Sequence, residues 1–298
     1  MRRIRFRLEA AGFRLLLAAA RLLPRRLLLN LGSAAGRMAY FVDGRHRRIA
    51  LGNLRLAYGP SLGDREARRI NRKCWRHFGR ITFDSLTFPR LTASSVGTLV
   101  RYEGLEHIRE AYTRGKGVIL FSGHYGHWEL VALMQGYLGL PLALVTRPLD
   151  NPYLESMLGS LRDRSGNLII HKRSAVRAMV RALHAGIGVA IVIDQDARDK
   201  GVFVPFFGRP ASTTPTLALL ALKTGAAVVP VFSVPQPDGT YRVVYEPPVE
   251  IPGTGEHDAA VMCVTARCMA IIERWVRRQP ELWLWMHRRW KTQPHLPG

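Results

Sequence analysis

Short apolar runs alternate with amphipathic stretches from about residue 99 onward. Apolar runs of this length predict β-strands, and apolar positions spaced three to four residues apart predict helices. The predicted strands are LVRYEGL, GVILFSG, LALVTRP, LIIHK, VAIVIDQD, AVVPVFSV and YRVVYEPPVEI. The predicted helices between them are HWELVALMQGYLG, LESMLGSLRDR, SAVRAMVRALHAG and TPTLALLALKTG. This alternation predicts an α/β domain with a central, mostly parallel sheet that is flanked by helices.

The N-terminal 44 residues have a different pattern, in which arginines are interleaved with leucines and alanines. A membrane-spanning helix needs about 20 mostly apolar residues, and the arginines interrupt every window of that length. We therefore expect a basic amphipathic helical segment that lies in the membrane interface. A helix packed on its own domain and a marginal span are the alternatives. We assign residues 1–44 to this membrane-associating segment and residues 45–298 to one α/β domain.

Composition adds a strong excess of positive charge. The 298 residues include 44 Lys or Arg and 22 Asp or Glu, which gives a formal net charge of +22. Such an excess indicates an anionic partner: nucleic acid, an acidic protein or anionic lipid. The three cysteines, Cys74, Cys263 and Cys268, have no CxxC spacing, so neither a disulfide framework nor a zinc site is predicted.

The sequence SGHYGHWE follows the predicted strand GVILF and contains the main candidate for chemistry. Ligands of open α/β sheets bind at the carboxyl ends of strands. His124 falls in the turn after the strand, and Glu129 falls about one turn into the next helix, so the carboxylate can reach back to the imidazole. A histidine oriented by a carboxylate is a general base, which here would activate a hydroxyl of the substrate toward an acyl group. Backbone N–H groups at the helix start would stabilise the oxyanion.

Other interpretations of this motif remain open. A metal site would use His124, His127 and Glu129, but this spacing departs from HExxH, and we expect no metal. A buried structural histidine, or a hydrolase that uses the same pair on water, would also fit. We interpret His127 as a structural or substrate-lining residue. The letters GPSLG at 59–63 match the hydrolase elbow G-x-S-x-G but do not follow a strand, so we treat them as a chance match.

A second polar cluster ends the predicted strand VAIVIDQD. Asp194, Gln195 and Asp196 would either orient a polar acceptor or cap the following turn. Arg147 at the end of LALVTRP and Arg177 on the helix SAVRAMVRALHAG would bind a phosphate or carboxylate of the substrate. A solvated surface position is the alternative for Arg177.

The segment VFVPFFG places Phe206 and Phe207 beside Gly208. We expect these residues either to line a tunnel for an acyl chain or to form a core strand. Near the C-terminus, ELWLWMHRRWK mixes tryptophans with cations, as segments that lie at membrane interfaces do.

Taken together, these segments resemble the late acyltransferases of lipid A biosynthesis, within the broader glycerolipid acyltransferase group. SGHYGHWE is similar to the H-x4-D/E signature of this family, at His124 and Glu129. The other matching blocks, in family order, are RHRRIALGNLRLAYG, TRPLDNPYLESML, VRAMVRALHAGIGVAIVIDQD, VFVPFFGRPASTTPTLALLALKTGAAVVPV and ELWLWMHRRWK.

The resemblance implies a glycerolipid-acyltransferase-like fold and transfer of a fatty acyl group to a hydroxyl of a lipid A precursor. The donor would be acyl-acyl carrier protein or acyl-CoA, with no metal and no other cofactor. His124 would be the base and Glu129 its partner. The residues expected to shape the site are Arg147, Arg177, Asp194 and Asp196.

The same resemblance implies a location at the cytoplasmic face of the cell inner membrane, through peripheral binding or a single N-terminal anchor. The expected partners are membrane lipid with its glycolipid acceptor and the acidic carrier protein, rather than nucleic acid. A phosphatidylinositol mannoside acyltransferase shares the signature and remains an alternative. A basic nucleic-acid-binding protein is an alternative on charge alone.

Overall fold

The computed structural model describes residues 2–140, 142–146, 150–156, 166–171, 175–253 and 256–294. The helices are α1 (Arg2–Leu22), α2 (Arg25–Val42), α3 (Gly44–Tyr58), α4 (Asp64–Ser85), α5 (Ala93–Leu99), α6 (Leu105–Thr113), α7 (Trp128–Tyr137), α8 (Ala175–His184), α9 (Thr216–Thr224) and α10 (His257–Arg278). The strands are β1 (Val100–Glu103), β2 (Val118–Ser122), β3 (Leu142–Thr146), β4 (Leu168–His171), β5 (Gly188–Val192), β6 (Val202–Phe206), β7 (Arg209–Thr213), β8 (Ala227–Pro235) and β9 (Tyr241–Tyr245). Most of the predicted helix LESMLGSLRDR lies outside the described residues.

Among the described residues, seven strands form one sheet in the order β1-β9-β8-β2-β5-β3-β4. The neighbours from β8 to β4 pair in parallel, whereas β9 runs antiparallel to β8 and parallel to β1. The predicted mostly parallel sheet flanked by helices is therefore confirmed. The segment VFVPFFG is strand β6, which pairs with β7 in a separate hairpin. Phe207 and Gly208 both have positive φ in its turn, the backbone of a type I′ hairpin.

The central strand β2 is buried over its whole length. Its side chains alternate between two cores, as strand geometry requires. Ile119 and Phe121 point into the core that α8, α9 and α10 cover. Val118 and Leu120 point into the core beneath α6 and α7. Burial on both faces leaves the end of the strand as the place where polar groups can gather.

The N-terminal helix α2 packs tightly along α4. The two helices approach so closely that a Cβ on Gly36 would lie 2.1 Å from the Trp75 carbonyl oxygen, and one on Gly79 would lie 2.2 Å from the Gly32 carbonyl oxygen. The other side of α2 exposes apolar side chains, namely Leu27, Leu31, Met38, Phe41 and Val42. Among the described helices, none has the length and apolar character needed to cross a bilayer. The division of the chain at residue 44 stays a prediction.

A buried ion pair joins α2 to α4 and the sheet. Arg25 donates from Nε and Nη2 to the two carboxylate oxygens of Asp84, each at 2.7 Å. Tyr241 on β9 donates its hydroxyl to the same carboxylate at 2.6 Å, and Arg25 also donates to the Gly239 carbonyl at 2.6 Å. The Asp84 side chain is only 1% exposed. Asp84 therefore depends on Arg25 for its counter-charge.

Replacing Arg25 with Met should destabilise the protein by about 3 kcal/mol, because it leaves a buried carboxylate without a counter-charge. The change is measured as a shift in the midpoint of denaturant unfolding. The control is Arg55→Met, since Arg55 pairs with Asp64 where both side chains are more than half exposed. We expect no measurable shift for this exposed pair. Equal shifts in the two variants would contradict the assigned role of Arg25.

Candidate active site

His124 lies just beyond the carboxyl end of β2, and Asp194 lies just beyond the carboxyl end of β5. These strands are parallel neighbours, with Ser122 opposite Val192. The ring Nδ1 of His124 is 2.7 Å from Oδ1 of Asp194, and the backbone N–H of His124 donates to Oδ2 at 2.7 Å. The side chain of His124 is 19% exposed, and that of Asp194 is 1% exposed. A buried carboxylate thus holds a histidine ring that remains accessible.

Gly123 makes this approach possible. A Cβ at this position would lie 2.7 Å from Oδ2 of Asp194 and 3.0 Å from a methyl group of Ile272. Any side chain would therefore push the carboxylate away from the His124 amide. Gly126, two residues after the histidine, allows a close approach to β8. Its φ is +58°, and a Cβ there would lie 1.7 Å from the Ser233 carbonyl oxygen.

The two groups favour each other's charged form. Burial lowers the pKa of His124, but the charge and hydrogen bond of Asp194, with a smaller contribution from Glu129, outweigh burial and raise this pKa above 6.5. Burial raises the pKa of Asp194, but the charge of His124 and three donated hydrogen bonds bring it below 3.8. The ionised Asp194 contributes to stability until the pH falls through its lowered pKa. The protonated His124 contributes to stability until the pH rises through its raised pKa. The pair is therefore most stabilising between pH 3.8 and 6.5.

The neutral ring has its basic nitrogen on the accessible side. Nε2 of His124 lies 3.2 Å from the side-chain Nε2 of Gln195. An amide nitrogen only donates, so Nε2 of the ring accepts and the ring proton resides on Nδ1, where Asp194 accepts it. This is the tautomer that a general base requires.

A largely apolar cavity of about 620 Å³ opens beside this pair, between the sheet and α7. The ring of Trp128, which lines the cavity, lies 5.1 Å from the ring of His124. Ser122 and Glu129 also line the cavity. The apolar wall includes Phe13, Leu17, Ile81, Leu86, Leu120, Val131, Leu133, Leu142, Leu144, Ala190 and Val231. A long hydrocarbon chain fits such a wall.

A family model described as bacterial lipid A biosynthesis acyltransferase matches residues 10–292. The chain belongs to this family. Its resemblance to the late acyltransferases is thereby confirmed, and so is its assignment as an O-acyltransferase.

Known relatives span most of this acyltransferase. It is 32% identical to the lipid A biosynthesis palmitoleoyltransferase of Escherichia coli K12, over 91% of this chain and 87% of that protein. It is 28% identical to the lipid A biosynthesis lauroyltransferase of the same strain, over 91% and 88% of the two chains. A solved structure of a 1-acyl-sn-glycerophosphate acyltransferase, PlsC from Thermotoga maritima, has a TM-score of 0.40 and 17% sequence identity to this chain. The match covers 87% of this chain and 99% of that protein.

The structure corrects the predicted contact between Glu129 and the histidine. Among the described residues, Asp194 and not Glu129 is hydrogen-bonded to the His124 ring. Glu129 lies in the first turn of α7, lines the cavity, and acts on the ring through its charge. Pairing of β2 with β5 brings Asp194 to the ring, which leaves Glu129 free to face the cavity. The catalytic roles of His124 and Glu129 stay predictions.

The second predicted cluster also divides. Asp194 orients His124, and Gln195 contacts the accessible nitrogen of the ring. Asp196 instead binds the C-terminal segment, residues 282–292, since its backbone N–H donates to Nε2 of His287 and its Oδ2 accepts from Thr292. Neither predicted alternative, orienting an acceptor or capping a turn, describes these contacts of Asp196 with His287 and Thr292.

Of the two predicted arginines, the structure describes only Arg177. Arg177 is exposed on α8 and does not line the cavity. Arg147 lies outside the described residues. Their roles in binding substrate stay predictions.

Phe206 and Phe207 form no part of the cavity wall, which corrects the expected acyl-chain tunnel. Both are buried in the core on the opposite face of the sheet, where Phe206 lies against Trp283 and Trp290. Gly208 forms the exposed hairpin turn beside them. The alternative of a core strand describes these residues.

His127 is fully buried and lines the cavity, with its ring stacked on Phe88 at 5.2 Å. Burial lowers the pKa of His127 to about 4, so the ring is neutral near pH 7. No cluster of three or more His, Cys, Asp or Glu groups suited to a metal ion is found among the described residues.

The C-terminal segment, residues 282–292, holds groups that the sequence did not identify. Trp283 donates its indole N–H to Oδ2 of Asp194 at 2.7 Å. Trp283 and Trp285 are 1% and 0% exposed, so the expected interface tryptophans are core residues. The pattern of tryptophans and cations in this segment does not predict the contact with Asp194, because a local sequence pattern does not specify which distant residues a segment packs against.

Replacing Asp194 with Asn should remove the strongly hydrogen-bonded Nδ1 proton of His124, whereas Glu129→Gln should keep it. The reason is that only Asp194 accepts from this nitrogen among the described residues. The measurement is the far-downfield proton NMR signal of the ring. Asp199→Asn, an exposed change on the same loop, is the control. Loss of the signal in Glu129→Gln and its survival in Asp194→Asn would reverse the assignment.

Proposed function

We propose that this acyltransferase moves a fatty acyl group from a thioester donor to a hydroxyl of a lipid A precursor, with His124 as the general base. The observation that carries this proposal is the His124–Asp194 pair next to an apolar cavity of about 620 Å³, whose wall includes Trp128, 5.1 Å from the His124 ring. The relatives named as lipid A acyltransferases support the choice of acceptor.

Every proton transfer in the proposed reaction takes place at Nε2 of His124. The acceptor hydroxyl gives its proton to Nε2 while its oxygen attacks the thioester carbonyl, and Asp194 stabilises the imidazolium. The tetrahedral intermediate then breaks its C–S bond. The thiolate leaves and takes the proton from Nε2, so the products are the ester and the free thiol, with the ring restored.

The start of α7 supplies donors for the developing oxyanion. The first N–H groups of a helix have no partner within the helix, and they lie at its positive end. In α7 these belong to Trp128 and Glu129, which both line the cavity beside the histidine ring. We assign the oxyanion to these backbone groups.

The cavity would hold the acyl chain of the donor. Its wall includes Phe13 and Leu17 of α1 as well as strands β2, β3 and β5. The same helix exposes a second apolar stripe on its outer side, with Ile4, Leu8, Leu15 and Leu22. Apolar stripes flanked by arginines are typical of helices that lie in a membrane interface. We therefore propose peripheral binding of α1 and α2 at the cytoplasmic face of the inner membrane, next to the cavity.

The donor would dock on a stripe of arginines along α4. Arg65, Arg68, Arg72 and Arg76 are exposed on one face of this helix. Of these, Arg68 alone has a carboxylate within 4 Å among the described residues, at 3.6 Å from Asp64. Like charges at this spacing destabilise a helix, so the stripe does not serve folding.

The position of this stripe connects it to the site. His77, farther along α4, lies 3.1 Å from the Gly126 carbonyl oxygen, two residues after His124. At 1.5 Å per residue, Arg72 and Arg65 lie about 8 and about 18 Å from His77 along the helix. An exposed row of positive charges on this helix is complementary to an acidic carrier protein. We therefore propose acyl carrier protein, rather than acyl-CoA, as the donor.

Replacing His124 with Gln should reduce acyl transfer roughly 10²–10⁴-fold, since the reaction loses its general base. The assay follows a labelled acyl group from acyl carrier protein to a lipid A precursor. His257→Gln, an exposed change on α10, is the control and should keep full activity. Full activity in His124→Gln would refute the mechanism, and release of free fatty acid in place of acylated glycolipid would indicate a hydrolase.

The triple variant Arg65→Glu, Arg68→Glu and Arg72→Glu should raise the KM for the acyl carrier protein about tenfold or more, because it reverses the charge of the docking surface. The wild-type rate should fall with added salt for the same reason. The control reverses three exposed arginines elsewhere, namely Arg109, Arg114 and Arg181. An equal increase in both triple variants would mean that net charge, and not this stripe, attracts the donor.

A further inference from the structure

We propose that Trp283 is a positioning residue for the His124–Asp194 pair, and that its indole N–H fixes the carboxylate that orients the base. The effect on the rate rests on the proposed function, whereas the effect on the ring does not. Trp283 touches neither the cavity nor the ring nitrogen that faces substrate, so it would act only through Asp194.

The carboxylate of Asp194 is held by three donors. Oδ1 accepts from the His124 ring, and Oδ2 accepts from the His124 backbone N–H and from Nε1 of Trp283, each at 2.7 Å. The indole N–H is the only one of the three that does not come from His124. It therefore fixes the carboxylate plane independently of the group that the carboxylate must orient.

The indole is itself held in place by backbone pairing. The Gly126 N–H donates to the Leu282 carbonyl at 2.9 Å, and the Leu284 N–H donates to the His124 carbonyl at 3.1 Å. These bonds place residues 282–284 antiparallel to the turn that carries His124, with Tyr125 opposite Trp283. The C-terminal segment is thereby aligned with the reaction centre, and the indole meets Asp194 from the core side.

Packing prevents the indole from turning away. Trp283 is 1% exposed, with its ring 4.7 Å from that of Trp285 and 5.4 Å from that of Phe206. A phenylalanine ring at this position would lose the N–H donor together with the volume of one fused ring. Trp285→Phe loses the same volume and therefore serves as the matched control. The difference between Trp283→Phe and Trp285→Phe therefore tests the hydrogen bond to Asp194.

Besides the neutral indole of Trp283, several charged or titratable groups face the His124–Asp194 pair. Glu129 on α7 contributes to the raised pKa of His124. His287 and the buried Arg289 lie on the C-terminal segment, where Arg289 interacts with the charges of Asp194 and Asp196. None of these groups is changed by Trp283→Phe. A shift in the ring's titration then reports the lost indole N–H.

The Trp283→Phe variant should shift the ring in a defined direction. Without the indole N–H, the charge of Asp194 is less neutralised and attracts the imidazolium more strongly, so the pKa of His124 should rise further. The acid limb of the pH profile of kcat should move to higher pH by the same amount. At its optimum, kcat should fall at least about tenfold with KM unchanged, because the carboxylate no longer holds the ring in one orientation.

The experiment compares Trp283→Phe with Trp285→Phe in the full-length protein. Trp285 is equally buried, but its indole N–H donates to the Pro280 carbonyl at 2.7 Å, away from the pair. Each variant is measured by NMR titration of the His124 ring, assigned with His124→Gln, by the pH profile of acyl transfer and by its melting temperature. The result expected is a raised ring pKa and a lowered kcat in Trp283→Phe alone, at similar melting temperatures.

Two results would overturn the inference. One is an unshifted ring titration in Trp283→Phe. The other is a loss of activity that matches that of Trp285→Phe and follows the loss in melting temperature. If the wild type transfers no acyl group but the ring titration shifts as expected, the proposed function fails and the assignment of Trp283 as positioning residue stands.

Discussion

The arrangement of the site depends on the burial of one carboxylate, Asp194. An ionised carboxylate is costly to bury unless hydrogen bonds and an opposite charge compensate it. Asp194 receives both from His124 and a further hydrogen bond from Trp283. Three segments far apart in the chain therefore meet at one group, namely the turn after β2, the end of β5 and the C-terminal segment.

This constraint links the stability of the site to its chemistry. The same hydrogen bond that compensates Asp194 fixes the tautomer of His124 and leaves Nε2 as the accepting nitrogen on the accessible side, where Gln195 contacts it. Gly123 has no side chain for a related reason, since a Cβ there would displace the carboxylate. The site is thus mostly buried, and only the Nε2 edge of the His124 ring is accessible to a reactant.

Three surfaces of different character surround the pair. The cavity between the sheet and α7 suits a hydrocarbon chain, and α1 contributes both to its wall and to an exposed apolar stripe. The arginine stripe lies on α4, the helix whose His77 contacts the Gly126 carbonyl oxygen. These three surfaces are the basis of our proposal that an acyl chain, a membrane and an acidic donor bind around a single imidazole.

The sequence by itself determined the local features of this acyltransferase. Buried runs and helical spacing predict the strands and most of the helices, and the turn after β2 places His124 at a strand end, because these patterns involve residues close together in the chain. Only the tertiary structure decided which groups meet there. Asp194 reaches His124 across 70 residues through the register of β2 and β5, Trp283 arrives from the C-terminal segment, and Phe206 is turned into the opposite core. Strand order and register depend on contacts between distant segments, and hydrophobic periodicity records only which face of each segment is buried.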